Sequence, residues 1–188
     1  MNNVVKKWLW LLILAVPLLS GCNDNADNPQ PADENELITT LTLRFTQQGV
    51  TSPQSQTITF RDVDGDGGSA PVITGNVTLR ANQTYTLDVA QLLDESKTPT
   101  LNILEEVEEE SDEHLFVFTP NPTSLFTYTY GDKDQNNLPI GITGTVRTGA
   151  AGTGTVTVQL RHQPGTKNGT PAPGDDDLNV QFNITVAN

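Results

Sequence analysis

Catalytic sites, disulfide frameworks and nucleic-acid surfaces need residues that this chain of 188 hardly has. It holds one cysteine, Cys22, so no disulfide closes within it and no Cys-x-x-Cys metal clasp exists. Both tryptophans, Trp8 and Trp10, lie near the amino terminus, which leaves the rest without an indole platform for stacking sugars. Basic residues number 10 against 23 acidic ones, a formal charge of −13 that opposes nucleic acid and anionic lipid and favours cations or basic partners. No G-x-S-x-G, P-loop, HExxH or HxH spacing occurs, and no serine has a base nearby in sequence, so a non-enzymatic protein is expected. A hydrolase would need a cleft that brings Glu113 and Asp62 within about 5 to 9 Å, as paired-carboxylate chemistry demands.

What is present begins with MNNVVKKWLWLLILAVPLLSGC. Lys6 and Lys7 precede an apolar stretch over 8–19, too short against the roughly 20 residues of a spanning helix, and a small-residue site follows. Leu19-Ser20-Gly21-Cys22 resembles a bacterial lipobox, which implies cleavage before Cys22 and lipidation of its sulfur; the alternative is an ordinary secretory signal with a chance cysteine. The expected organisation is a signal peptide over 1–21, a lipidated acidic tether over 22–36 and one domain over 37–188. Loss of Lys6 and Lys7 leaves eight basic residues against 23 acidic, or −15. The tether NDNADNPQPADENE would span roughly 20 Å as a coil and about 45 Å stretched. Position 23 is asparagine rather than the aspartate that retains enterobacterial lipoproteins at the inner membrane, so the resemblance implies the outer membrane, on its periplasmic or cell-surface face. The acid-rich start is also similar to surface-export signals of Bacteroidota lipoproteins.

From Leu37 the pattern becomes strict alternation, with Leu37, Thr39, Leu41, Leu43 and Phe45 on one face. Runs of this kind are expected as strands over 37–46, 56–61, 72–79, 83–93, 114–119, 125–130, 139–147, 153–162 and 178–186, with Gly, Pro and Asn clusters between nearly all of them. Nine short strands without βα alternation predict an all-β, antiparallel, immunoglobulin-like sandwich. One segment differs: Leu101, Leu104 and Val107 with Asn102 and Glu105 as a capping-box-like start predict a short acidic crossover helix over 102–112. Its Glu105–Glu109 and Glu106–Glu110 pairs repel, so it needs docking, a cation or both.

If successive strands reverse direction, alternate connections share an end of the sandwich. The even connections then hold 17 of the 18 acids beyond residue 36, all but Asp88, and His114 and His162 lie at the same end. Asp62, Asp64 and Asp66 with Gly67 match the D-x-D-x-D-G head of a calcium loop, although Ile73 stands where an EF-hand needs glutamate; a plain Asp/Gly turn is the alternative. Asp132, Asp134 and Asn136 repeat the spacing with Lys133 inside, where the alternative is a polar hairpin. His114 and His162, with Glu113 beside the first, form the second candidate set, for a transition metal or haem, against ordinary packing and hydrogen-bonding roles.

The acidic tether, ITTLTL, RDVDGDGGSAP, LLDES followed by EEVEEESDEH, FTYTYGDKDQNNLPIG and TGTVTVQLRHQPG together resemble a group of small Bacteroidota lipoproteins of unknown function. The resemblance covers most of 36–186 and supplies no catalytic residue. Some members are catalogued under a type 1 periplasmic binding fold, a name that implies alternating helices and strands, which this sequence lacks. The expected role is therefore an outer-membrane lipoprotein that binds or supports something in the envelope, with calcium as cofactor at its acidic end. Its partners would be the membrane, through the lipid, and a basic or envelope protein.

Overall fold

The computed structural model describes residues 36–65 and 68–188; the signal and tether expected over 1–35, with Cys22, and the loop residue Asp66 lie outside the described residues. The chain runs β1 (Thr40–Gln47), β2 (Ser55–Arg61), β3 (Val72–Thr74), β4 (Val77–Arg80), β5 (Thr84–Asp94), β6 (Leu101–Asn102), α1 (Ile103–Glu109), β7 (His114–Asn121), β8 (Phe126–Tyr130), β9 (Thr143–Thr148), β10 (Gly152–His162) and β11 (Asp175–Ala187). One sheet has the order β3-β2-β1-β5-β9-β8, with β6 added beside β5, and the other has the order β4-β11-β10-β7. Every pair is antiparallel except β4 with β11. Among the described residues the fold is an all-β sandwich with one short helix.

Alternation builds the core. Leu41, Leu43 and Phe45 of β1 and Leu87 and Leu92 of β5 join Val156, Val158 and Leu160 of β10 and Leu178, Phe182 and Ile184 of β11 in one apolar cluster. Each such side chain contributes about 1.5–3 kcal/mol on burial. Leu37 departs from the expected face: it is 46% exposed because the ladder starts only at Thr40.

The run expected as one strand over 72–79 is two, in different sheets. Gly75 sits between them at φ +85°, a left-handed conformation, and a Cβ there would lie 2.4 Å from the Thr57 carbonyl oxygen. The chain thereby leaves β2 and crosses to β11. Residues 139–142, expected to open a strand, instead cross the sandwich edge, where the Phe116 N–H donates to the Ile140 carbonyl at 2.7 Å. The helix is shorter than 102–112. It docks through buried Ile103 and Val107, and Asn102 gives no side-chain cap; its amide donates to the Glu105 carboxylate at 2.8 Å instead.

Strand register fixes which connections share an end. Thr40 pairs with both Arg61 and Leu93, so β1 begins where β2 and β5 finish. His114 opens β7 opposite His162, which closes β10, and His162 in turn pairs with Asp175 at the start of β11. Residues 62–71, 95–113, 131–142 and 163–174 all leave from this end. Together with Asp94 and Asp175 to Asp177 they carry sixteen of the seventeen described acids beyond Glu36. Asp88 is the exception, in mid-sheet and paired with Arg44 at 3.2 Å.

Candidate metal centre

Three cations at the acidic end are already committed. Arg61 pairs with Glu95 at 2.7 Å, Arg161 with Asp176, and Lys167 with Asp134 at 2.9 Å. Lys167 also donates to the Ser111 carbonyl at 2.7 Å, so one buried ammonium ties together the segments 95–113, 131–142 and 163–174. Burial works against the Asp134 carboxylate, but Lys167 and the Leu138 and Asn136 amides outweigh it and hold the group below the usual carboxylate range.

The loops picked out by spacing bind mainly themselves. Both oxygens of Asp132 accept backbone bonds, from Gly141 at 2.7 Å and Thr143 at 2.8 Å. Asp134 Oδ1 accepts from the amides of Asn136 and Leu138, while the Asn136 side chain is exposed. In the other loop, Asp64 Oδ2 accepts the Ser69 N–H at 2.9 Å, the main cause of its lowered pKa. Asp62 lines a cleft of about 780 Å³ with Glu36, Phe60 and Asp177. These aspartates are thus placed at one end, but among the described residues none belongs to a group of three or more ligand atoms spaced for an ion.

The histidines do converge. His114 and His162 stack with ring centroids 4.8 Å apart and planes 3° from parallel, His114 fully buried and His162 nearly so. His162 Nε2 lies 3.8 Å from Glu113 Oε2, the partner suggested by sequence. Stacked rings aim their nitrogen lone pairs side by side, each within its own plane. One nitrogen of each ring and a Glu110 carboxylate oxygen nevertheless lie within 4.8 Å of one another.

His114 instead points at two carboxylates that spacing did not suggest. Its Nε2 lies 3.5 Å from Glu36 Oε1 and 3.7 Å from Asp177 Oδ2, beyond the roughly 2.7–3.2 Å of an ordinary N–H···O bond. The Nδ1 is 3.1 Å from the Glu110 carbonyl oxygen, which can only accept, so Nδ1 carries a proton. His114 Nε2, Glu36 Oε2 and both Asp177 oxygens are buried without a hydrogen bond of ordinary geometry, although weaker contacts join His114 to the Glu36 carboxylate and Asp177 to the Glu36 backbone. A buried polar group left unpaired costs about 1–3 kcal/mol.

Asp177 reaches this place through a β-bulge. The β10–β11 register steps from Leu160↔Leu178 to Arg161↔Asp176, so Asp177 is the extra residue between them. Strict alternation would turn it away from the side of Leu178. The bulge turns it inward, where its side chain is wholly buried. Burial and the Glu36 charge push its carboxyl up to about 6 against the pull of His162 and His114. Burial disfavours the His114 imidazolium, but Glu36, the Glu110 carbonyl and Asp177 raise its pKa overall. Glu106 is raised too, by burial and by Glu36 and Glu110.

Among the described residues, the groups whose ligand atoms all lie within 4.8 Å of one another are Glu36–His114–Asp177, Glu110–His114–His162 and Glu36–Glu106–Glu110. The bulge and the residue preceding the first alternating run supply what sequence spacing missed. No protein-family model, no curated protein and no solved structure matches the chain.

Proposed function

We propose that this chain is a lipoprotein of the bacterial outer membrane, anchored through Cys22, whose sandwich has a non-enzymatic binding or structural role in the envelope and holds a divalent cation at its acidic end. The observation that carries the reading is the convergence of sixteen acids on one end of the sandwich, where only a few cations oppose them. Like charges so gathered repel, and a bound cation relieves that repulsion in the folded state alone. Calcium would draw on the oxygen donors of Asp62, Asp64 and Asp66. Asp64, Asp132 and Asp134 already accept hydrogen bonds from backbone amides, and Asp134 pairs with Lys167, so an ion there would share or displace these contacts.

The second reading, a transition-metal carrier, is favoured by the buried imidazole of His114 and its carboxylate neighbours. Melting of the full chain in detergent, with chelator and then with calcium, magnesium, manganese or zinc, tests both. A cation at one hundred times its dissociation constant adds about 2.7 kcal/mol, and each kcal/mol raises the midpoint by about 2–4 °C. A midpoint unmoved by every one of these ions at millimolar concentration removes cation binding from the proposal.

A further inference from the structure

We infer that Glu36, His114 and Asp177 are the ligands of one divalent first-row transition-metal ion, held between the segment that enters β1 and the strands β7 and β11. The inference rests on the cation-binding reading above and names its ion class and its site.

Spacing is the first ground. Two ligand atoms each about 2.1 Å from a tetrahedral ion lie about 3.4 Å apart. His114 Nε2 stands 3.5 Å from Glu36 Oε1 and 3.7 Å from Asp177 Oδ2, too far to share a proton well and close to the separation set by a shared ion.

Protonation is the second. Nδ1 of His114 donates to the Glu110 carbonyl, so Nε2 is the nitrogen that meets the two carboxylates, and an ion bound there would replace whatever proton Nε2 carries. A backbone carbonyl or carboxylate on the far nitrogen is how metal-binding imidazoles are commonly oriented. The His162 ring, stacked on His114, holds it flat against rotation.

Burial is the third, and it does not depend on the acidic character of the surroundings. His114 is fully buried, the Asp177 side chain is 0% exposed and Glu36 is 11% exposed, and Nε2 has no hydrogen bond of ordinary geometry. Glu36 and Asp177 both line the cleft beside Asp62, and of the three ligands only Glu36 has an exposed fraction of side chain. An imidazole nitrogen in the set selects against calcium and magnesium, which take oxygen shells, and suits zinc, manganese or iron.

The test uses the full chain in detergent, stripped with chelator and titrated with zinc(II) by calorimetry, with cobalt(II) absorption reporting ligand geometry. The expected result is one zinc per chain, bound at least tenfold more tightly than calcium. Glu36→Gln and Asp177→Asn should each weaken it at least tenfold and alter the cobalt spectrum. Glu36 precedes the first strand, so its variant keeps the test open if Asp177→Asn fails to fold. Calcium binding with no zinc binding, or zinc binding undiminished in a folded Glu36→Gln chain, overturns this site but leaves the broader cation reading standing. Absence of binding by any divalent cation removes both.

Discussion

Lys167 Nζ and Asp134 Oδ2 stand 2.9 Å apart with both side chains almost wholly buried, 2% and 0% exposed. A buried pair broken from one side leaves a stranded charge, so Lys167→Met should destabilise the domain by about 3 kcal/mol, and adding Asp134→Asn should recover part of that. Denaturant unfolding of the single and double variants measures it. Because the folded Asp134 pKa lies below its unfolded value, this stabilisation is present above pH about 4 and is lost as pH falls through the folded value. The difference between wild type and Lys167→Met should shrink correspondingly in acid.

Asp132 is expected to act on its own loop. Asp132→Asn replaces one acceptor by an N–H donor facing the amide of Gly141 or Thr143, and should cost about 1.5–3 kcal/mol. Calorimetric affinity for calcium should stay within twofold of wild type. A fall in affinity with stability unchanged would instead make Asp132 a ligand.

Gly75→Ala should destabilise by about 2–4 kcal/mol, since φ is +85° and the new methyl would meet the Thr57 carbonyl oxygen at 2.4 Å. Thermal unfolding reads this as a fall of several degrees. An unchanged midpoint would mean that the crossing from β3 to β4 relaxes freely.

Cys22→Ser should abolish incorporation of labelled fatty acid and shift the protein from the detergent phase to the aqueous phase on phase separation, whereas wild type should carry a lipidated residue 22 as its first. Mass spectrometry of the intact mature chain checks the cleavage point directly.

The strands were legible because Thr- and Val-rich alternation at period two leaves little choice of element, and the gathering of acids followed from strand reversal alone. Splitting 72–79 at Gly75 left the later order of ends intact, because β3 and β4 run on in sequence while changing sheets. The acidic helix was visible and so was most of its inner face: of Leu101, Leu104 and Val107, Val107 is buried and Leu104 packs against the core, whereas Leu101 is exposed and Ile103 docks instead. Asp177 was hidden because a bulge reverses the parity that alternation assigns, and Glu36 because composition places it in the tether. Spacing within a loop is a local signal, whereas the His114 neighbourhood is assembled from residues 78 and 63 positions away in the chain, which no local pattern encodes.

The first and last strands occupy interior places in their sheets, β1 between β2 and β5 and β11 between β4 and β10. β1 starts at one end of the sandwich and β11 finishes at the other, so a pull applied between Glu36 and Ala187 runs lengthwise along both. Two ladders flank each of these strands, and such a pull strains their rungs simultaneously in shear rather than unzipping them one after another. Drawn by its two extremities, the domain should therefore yield only at high force.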